Sequence, residues 1–397
     1  MPNVVIVDSV RTAIGKLGGA LGNVPVDFLA ATVLEEVVKR SDIPKEIVEE
    51  VIIGQAKQSS DASNLARVAL LRAGFSVDVP GYTVHRQCGS GVQAINSASQ
   101  QIQCGLADVI IAGGAESMST APYYMRNVRF GLKSGNGLLL DSNTESQPGS
   151  QPIEEYGMLT MGVTAENLAE KYNISRTEQD EFAFRSQENA QKAISSGLFE
   201  KEIIPFVLKS KKGVTAFKVD EHPRETTLEK LATLKPVFKE NGTVTAGNSS
   251  GRNDGAATVV LMSEEAAIKL GKKTKAKVIA QAASGVDPKY MGIGPVPATL
   301  KALKMANLRL EDIDIIELNE AFSAQSLAVI KELKMDINKV NPNGGAIAMG
   351  HPIGATGAIL VTKALHELER TGKRYGLITL CIAGGLGITT IIENTQI

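Results

Sequence analysis

The chain has 397 residues, and its 42 lysines and arginines nearly balance its 43 aspartates and glutamates, so the formal net charge is −1. This balance argues against a nucleic-acid partner, and a content of 43% hydrophobic and 21% charged residues excludes a disordered chain. Three cysteines without a Cys-x-x-Cys pair exclude a disulfide scaffold and a structural zinc site, which leaves reactive thiols. No run approaches about 18 consecutive apolar residues, so we expect no membrane partner and a cytoplasmic location.

Short continuous apolar runs recur along the chain and are typical of strands covered on both faces. They are Val4–Val7, Val51–Ile53, Val109–Ala112, Thr258–Met262, Ile315–Leu318, Leu377–Cys381 and Ile388–Ile392. Helical patterns alternate with them at Asp27–Arg40, Gly91–Cys104, Ala298–Ala306 and Ala358–Arg370. The alternation predicts an α/β fold with mostly parallel sheets.

An internal repeat joins the two ends of the chain. Val109–Gly114 resembles Leu380–Gly385, and each segment follows a glycine-rich helix start. The repeat predicts two similar α/β halves with one site between them. Residues 118–248 contain few strand-like runs and look like an insertion. Within it, SRTE (175–178) is a capping-box pattern that predicts the start of a helix.

Cys88 lies between a strand-like segment and a helix, in the small-residue sequence QCGSG (87–91). A thiol at the N-terminus of a helix meets the positive end of the helix dipole, which favours the nucleophilic thiolate. The small neighbours let a substrate approach. The alternative is a buried structural cysteine.

His351 lies in a stretch rich in glycine and alanine, residues 345–357, directly between a glycine and a proline. These neighbours fix the local backbone and leave the ring unobstructed, as a catalytic base near a thiol requires. The alternative is a histidine that caps the following helix. His85 competes for the same role, but on an extended segment a spacing of three places it and Cys88 on opposite faces, so we rank it below His351.

Cys381 ends a strand and enters the sequence IAGGLG (382–387), whose amides can donate hydrogen bonds to an oxyanion. Its alternative role is that of a core cysteine, and Cys104 has no predicted catalytic part. Asn319 opens the sequence NEAF (319–322), which we expect to begin a helix after a strand. Its amide can hold a water or an oxygen in the crevice where α/β sheets bind ligands. The alternative is an N-cap asparagine.

Two further segments are candidates for ligand contacts. The turn 245–257 is rich in small and hydrogen-bonding residues that can line a channel for an extended ligand. A short basic cluster either forms a solvated face or receives phosphates, and it consists of Lys209, Lys211, Lys212, Lys218 and Arg224.

Five motifs, taken together and in this order, resemble those of the thiolases: RQCGSG (86–91), GGAESMS (113–119), NEAF (319–322), GHPIGATG (350–357) and CIAGGLG (381–387). Each motif alone is weak, whereas their co-occurrence over essentially the whole chain is highly specific. Within the family, the chain looks most like the group of acetyl-CoA acetyltransferases.

The resemblance implies a five-layered α-β-α-β-α fold of two similar halves with an inserted loop domain that binds coenzyme A. On this basis residues 1–120, continued at 252–273, form the N-terminal half. Residues 121–251 form the inserted domain, and residues 274–397 form the C-terminal half. The resemblance also implies a homodimer or a homotetramer.

The resemblance further implies reversible Claisen condensation of two acetyl-CoA molecules to acetoacetyl-CoA and coenzyme A. Cys88 would carry the acyl group, His351 would activate it, and Cys381 would abstract the proton from C2 of the second acyl-CoA. Asn319 would hold a water that stabilises the enolate oxygen together with His351. The amides of Cys88 and Ala383 would form the oxyanion hole.

The family pattern also supplies candidates for substrate contacts. Ser250 and Ala246 match the loop that contacts pantetheine, and Met161 and Phe322 match the walls of the acyl pocket. Coenzyme A is a substrate or product, and the chemistry requires neither a metal nor a redox cofactor.

Three positions depart from the family pattern. Thr160 replaces a usual histidine, and we expect the shorter side chain to widen the tunnel beside Met161 and to favour acyl chains longer than acetyl. Ala383 replaces a usual glycine, which is tolerable only if its φ is negative. His85 replaces a usual asparagine.

Three rival functions are open at this point. A ketoacyl synthase would share the fold and the nucleophilic cysteine, but it carries a histidine where Asn319 stands and lacks a cysteine at position 381. A non-catalytic acyl-CoA or lipid-binding protein would have no use for both cysteines and His351. A 3-ketoacyl-CoA thiolase of broader chain length is the rival within the family.

Overall fold

The computed structural model of the chain describes residues 2–210 and 213–397. Its strands are β1 Val4–Thr12, β2 Gly15–Lys16, β3 Glu50–Gly54, β4 Gly81–Val84, β5 Val109–Ser117, β6 Tyr123–Tyr124, β7 Leu140–Asp141, β8 Ile203–Ile204, β9 Phe206–Ser210, β10 Gly213–Phe217, β11 Asn253–Ser263, β12 Ala276–Gly285, β13 Ile315–Leu318, β14 Tyr375–Ile382 and β15 Leu386–Asn394. Its α-helices are α1 Val26–Ser41, α2 Leu65–Arg72, α3 Ser90–Gln103, α4 Ser142–Glu145, α5 Ile153–Tyr156, α6 Met161–Lys171, α7 Arg176–Ser195, α8 Leu228–Ala232, α9 Glu264–Lys269, α10 Pro295–Ala306, α11 Ser323–Leu333, α12 Ala346–Met349 and α13 Ile353–Thr371.

The main sheet runs in the order β13-β14-β15-β12-β1-β11-β5-β3-β4. Its two halves meet where Val5 and Ile6 of β1 pair with Lys277 and Ala276 of β12. In the N-terminal half, β1 is antiparallel to β11, β11 is antiparallel to β5, and β5 is parallel to β3. In the C-terminal half, β12, β15, β14 and β13 repeat the same three pairings. The internal repeat predicted from the sequence is therefore confirmed.

The expectation of mostly parallel sheets is wrong. Along the main sheet, β3 with β4, β3 with β5, and β13 with β14 are parallel, and the other neighbours are antiparallel. The strands are continuously apolar because helices cover both of their faces, and such coverage does not depend on strand direction. The apolar runs therefore indicate that the strands are buried, but they do not indicate whether neighbouring strands are parallel or antiparallel.

Side chains that alternate along β1 show how the layers stack. Val5 and Val7 belong to a core cluster with α1 and α2, whereas Val4 and Ile6 point to the opposite cluster with α3 and α13. The helices α3 and α13 pack against each other and contact strands of both halves. The helices α10 and α11 cover the outer face of the C-terminal half. The five-layered α-β-α-β-α fold of two similar halves is confirmed.

The region between β5 and β11 contains α4 to α8 and several short strands. The predicted capping box is present at the start of α7, because the Ser175 hydroxyl accepts from the Glu178 amide and the Glu178 carboxylate accepts from the Ser175 amide at 2.7 Å. Strand β8 leaves this region and pairs with β1. Within the described residues, no helix has the length and hydrophobicity needed to cross a bilayer.

Candidate active site

A cavity of about 180 Å³ is lined by residues of both halves and of the region between β5 and β11. Its walls include the predicted site residues Cys88, Met161, Ser250, Phe322, His351, Cys381 and Ala383. The predicted residues Thr160, Ala246 and Asn319 do not line this cavity. The repeat therefore places one site where residues of the two halves meet.

Cys88 lies two residues before α3, in a tight turn after β4. The turn is closed by the Ser90 hydroxyl, which accepts from the Arg86 amide at 2.9 Å and donates to the Gln87 carbonyl at 2.7 Å. Gly89 lets this turn approach β14, because a Cβ there would lie 2.5 Å from Cδ1 of Ile382. Cys88 itself stays partly exposed.

The electrostatics of Cys88 differ from the prediction of a favoured thiolate. Burial raises the pKa of the Cys88 thiol above its ordinary value. The backbone amide of Ala383, the ammonium of Lys57 and the amide of Cys88 itself act in the opposite direction. Burial of the sulfur therefore outweighs the groups that favour the thiolate, and the net shift is opposite to the one expected from the helix N-terminus alone.

His351 is held by backbone and side-chain contacts. Gly350 has φ +99°, and a Cβ there would lie 2.3 Å from Cγ of Asn253, whose Oδ1 accepts from the His351 amide at 3.0 Å. His351 Nδ1 lies 2.6 Å from the Thr356 hydroxyl, which donates its proton to the Pro352 carbonyl at 2.9 Å. The hydroxyl oxygen is thus left to accept a hydrogen bond from Nδ1–H.

The protonation of His351 follows from these contacts. With the hydrogen on Nδ1, the Nε2 atom carries a lone pair, and within the described ranges it has no hydrogen-bond partner. Burial lowers the pKa of His351 to about 4, so the ring is neutral at neutral pH. The alternative of a helix cap is wrong, because Pro352 is the N-cap of α13 and no side chain caps it. The geometry suits a general base.

The other predicted candidates for thiol or base chemistry lie elsewhere. His85 directly follows β4, is exposed and does not line the cavity. Cys104 is the C-cap of α3 and is also exposed. The structure therefore brings His351, and not His85, into one cavity with Cys88.

Cys381 lies within β14 and is paired with Gly387 of β15. Its exposed fraction is 1%, and it packs in an apolar cluster that includes Met291, Ala321 and Phe322. Burial raises the pKa of the Cys381 thiol, and the nearby Cys88 raises it further. Two residues further along, Ala383 has no positive φ, which satisfies the condition that its Cβ imposes.

Asn319 follows β13 and is fully buried. Neither its Oδ1 nor its Nδ2 has a hydrogen-bond partner among the described residues. The expectation that a helix begins here is wrong, because α11 begins at Ser323 with Phe322 as its N-cap. An N-cap role for Asn319 is therefore excluded, and its amide is free to bind a water.

The loop before β11 links the predicted substrate-contacting residues to the site. Ser249 pairs with Phe322, the Ser250 amide donates to the Ala321 carbonyl at 3.0 Å, and Arg252 pairs with His351. These bonds hold Ser250 at the cavity wall.

Three predicted contact groups lie away from the cavity or outside the described ranges. The Ala246 carbonyl accepts from Arg224, at 3.4 Å. The Thr160 hydroxyl accepts from the Val163 amide as the N-cap of α6, so the next residue, Met161, reaches the cavity in its place. Lys211 and Lys212 of the predicted basic cluster lie outside the described residues.

Two residues at this site, Lys57 and Glu116, had no role predicted from the sequence. Lys57 lines the cavity, and its exposed fraction is 6%. The Glu116 carboxylate accepts from the amides of Ala56 and Lys57 at 3.0 Å and from the amide of Gly354 at 2.8 Å, so it joins the segment after β3 in one half to the start of α13 in the other. The sequence carried no signal for Lys57, whereas the structure explains its position: β3 is parallel to β4 and β5, so its carboxyl end opens at the same sheet edge as Cys88.

Comparison with known proteins extends these observations. Models of the thiolase N-terminal domain and of the thiolase C-terminal domain match residues 4–265 and 272–394. The chain is 47% identical over 403 residues to the acetyl-CoA acetyltransferase of Syntrophomonas wolfei, with 98% of each protein covered. It is 48% identical over 398 residues to the beta-ketoadipyl-CoA thiolase of Pseudomonas aeruginosa, with 98% of this chain and 99% of that protein covered.

A solved structure of a related enzyme is similar to this chain in both fold and sequence. The crystal structure of the Bacillus anthracis acetyl-CoA acetyltransferase matches with a TM-score of 0.96 and 49% identity, with 99% of each chain covered. The fold and these similarities define an acyltransferase that acts on acyl-CoA thioesters. The chain belongs to the thiolase family, because the two family models together match nearly its whole length.

Proposed function

We propose that the chain is an acetyl-CoA C-acetyltransferase, which condenses two acetyl-CoA molecules to acetoacetyl-CoA and coenzyme A and catalyses the reverse thiolysis. The observation that supports this proposal most is the shared cavity of Cys88, Cys381 and His351, whose Nε2 is unpartnered among the described residues. Acyl transfer followed by carbon–carbon bond formation needs a nucleophile and two sites of proton transfer, and this cavity offers them.

In the first half-reaction, Cys88 is the nucleophile. His351 Nε2 accepts the thiol proton, and Cys88 Sγ attacks the carbonyl carbon of acetyl-CoA. The oxyanion that forms accepts hydrogen bonds from the amides of Cys88 and Ala383, which already act on the sulfur. Coenzyme A leaves as a thiol with the proton from His351, and the acetyl group stays on Cys88.

In the second half-reaction, Cys381 is the base. Cys381 gives its thiol proton to Nε2 of His351, and the Cys381 thiolate then removes a proton from C2 of the second acetyl-CoA. The enolate oxygen accepts hydrogen bonds from Nε2–H of His351 and from a water on Asn319. The C2 carbanion attacks the acetyl group on Cys88. The Cys88 thiolate leaves as acetoacetyl-CoA forms and takes the proton back from His351. Acetylated Cys88 carries no charge, so it does not raise the pKa of Cys381 as a Cys88 thiolate would.

The substrate contacts follow the cavity walls. We assign the pantetheine arm to Ser250, which lines the cavity, and to Ala246, which lies outside it on the same loop. We assign the acyl group to the side of Met161 and Phe322. Met161 is the first residue of α6, and Thr160 caps this helix. Every proton and electron pair in these steps comes from the protein or from acyl-CoA. The proposed reaction therefore uses no metal or redox cofactor, and coenzyme A is a substrate or product.

Assembly, division into domains and location are proposals as well. Large apolar side chains are exposed in the segment after β5 and support a homodimer or homotetramer; they are Tyr123, Met125, Phe130, Leu132, Leu138 and Leu139. Light scattering of the purified protein measures this state. Three free cysteines support a cytoplasmic location. The domain boundaries at 120, 251 and 273 stay predictions.

The direct test follows the loss of the acetoacetyl-CoA enolate absorbance on addition of coenzyme A. We expect turnover by the wild-type protein and none by Cys88→Ala. Tight binding of acetoacetyl-CoA without turnover would instead identify a non-catalytic acyl-CoA binder. The rival function, that of a 3-ketoacyl-CoA thiolase with broader chain length, is tested by measuring the turnover of 3-ketohexanoyl-CoA.

A further inference from the structure

Lys57 lies in the wall of the cavity, yet the proposed reaction gives it no part. Its ammonium donates to the hydroxyl of Ser146 and to the carbonyl of Ser142, the latter at 3.5 Å. An ammonium has three N–H donors, and the third has no acceptor in the described part of the chain. Lys57 thus holds an unused donor beside Cys88.

No carboxylate within residues 2–210 and 213–397 forms an ion pair with Lys57. The two acidic neighbours already have partners: Glu116 accepts from three backbone amides, and Asp141 accepts from the Asn143 amide and faces Arg252 at 3.6 Å. Burial lowers the pKa of Lys57, and Glu116 and Cys88 oppose this change. A buried ammonium without a counter-ion is costly, so an anionic ligand gains the attraction that the protein does not supply.

The cavity has two chemically different walls. The apolar wall consists of Met161, Phe238, Met291, Ala321 and Phe322, and the polar wall consists of Lys57, Asn143, Ser146 and Gln147. An acyl group on Cys88 Sγ must place its far end within this same cavity. A chain that ends in a carboxylate would meet a cation on the polar wall.

We propose that Lys57 selects acyl groups that end in a carboxylate, so that the enzyme also cleaves 3-ketoacyl-CoA thioesters with a terminal carboxylate. This inference rests on the proposed thiolase reaction at Cys88. The Lys57 ammonium donates a charge-assisted hydrogen bond to the carboxylate. A terminal methyl group leaves the ammonium unpaired, and an acetyl group has no far end to select.

The test compares 3-ketoadipyl-CoA with 3-ketohexanoyl-CoA, which have the same number of chain carbons and differ at the end of the chain. We expect the wild-type specificity constant (kcat/KM) for 3-ketoadipyl-CoA to equal or exceed that for 3-ketohexanoyl-CoA. In Lys57→Met this ratio falls about 10- to 100-fold, and in Lys57→Arg it is largely kept. The control is Lys39→Met on α1, where the side chain is 79% exposed and the ratio stays unchanged.

Each other outcome has a distinct meaning. Wild-type turnover of 3-ketohexanoyl-CoA without turnover of 3-ketoadipyl-CoA overturns the role of Lys57 and leaves the proposed function intact. An equal loss for both substrates in Lys57→Met also overturns it, because Lys57 would then act on the ionisation of Cys88. Absence of acetoacetyl-CoA turnover by the wild type overturns the proposed function itself. The wild-type comparison does not depend on the folding of any variant.

Discussion

Cys88 and Cys381 line the same cavity but differ in backbone and surroundings. Cys88 lies in a turn before α3, is partly exposed, and is near the ammonium of Lys57 and the amide of Ala383. Cys381 lies inside β14 and is almost fully buried in an apolar cluster. The thiol of the N-terminal half is thus partly exposed and near polar groups, whereas the thiol of the C-terminal half is buried among apolar side chains.

The different surroundings of the two thiols indicate that Cys88 ionises more readily than Cys381. Burial raises the pKa of both thiols, but the amide of Ala383 and the charge of Lys57 oppose this rise at Cys88. A Cys88 thiolate raises the pKa of Cys381 further, so the two thiols do not ionise together. This difference supports the proposal that Cys88 accepts the acyl group and Cys381 abstracts the proton.

The largest expected effect comes from Cys88→Ala. Without the nucleophile, both half-reactions lose their covalent intermediate, and thiolysis of acetoacetyl-CoA should fall by at least about 10⁴-fold. The matched control is Cys104→Ala, which removes an exposed thiol at the end of α3 and should not change the rate. Thiolysis by Cys88→Ala within tenfold of the wild type would assign the acyl group elsewhere.

Cys381→Ala should separate the two half-reactions. Loss of the base lowers condensation by about 10²- to 10⁴-fold. Exchange of labelled coenzyme A into acetyl-CoA needs Cys88 and His351 alone, and it should stay within about tenfold of the wild type. Equal losses in condensation and exchange would show that the two thiols do not have separate roles.

The third prediction concerns the base that serves Cys88. His351→Ala should slow alkylation of Cys88 by iodoacetamide at pH 7 by at least about tenfold, and the exposed His85→Ala should leave it nearly unchanged. Because the pKa of His351 is about 4, the ring stays unprotonated from about pH 6 to pH 8. The ratio of the alkylation rates of the wild type and His351→Ala should therefore be constant over this range. If His351→Ala and His85→Ala slow the alkylation equally, His85 would again be a candidate for the base that serves Cys88.

Thr160→His should have the smallest effect. Thr160 does not line the cavity, but its hydroxyl caps α6 and the next residue, Met161, lies at the cavity wall. We expect the longer histidine to push Met161 into the space for the acyl chain. The ratio of the specificity constants for 3-ketohexanoyl-CoA and acetoacetyl-CoA should move toward the shorter substrate by up to about tenfold. Thr160→Ser keeps the cap and serves as the control. If both variants have the wild-type ratio, other residues determine the pocket depth.

The sequence was sufficient for the features that local patterns encode. The capping box at Ser175 and the repeat between β5 and β14 were both predictable, because each leaves a fixed residue pattern. The repeat also predicted one site between the two halves, and Cys88, His351 and Cys381 line one cavity there. Strand direction was not predictable, because continuous apolar runs report burial on both faces.

Features that depend on the surroundings could not be read from the sequence. The pKa of Cys88 rises because of burial that no local motif shows, and Asn319 lies outside α11 although the sequence predicted a helix start there. Lys57 is a single lysine after a strand, which in sequence resembles a solvated residue. Its contact with the cavity follows from the loop that Glu116 anchors across the two halves.

The measurement that tests the account most directly is mass spectrometry of Cys381→Ala after mixing with acetyl-CoA. This variant keeps the nucleophile and lacks the second base, so the acetyl group should accumulate as a thioester. The account predicts an acetyl mass increment on the peptide that contains Cys88. An unmodified Cys88 peptide, under conditions that acetylate the wild-type protein, would contradict the separate roles of the two thiols.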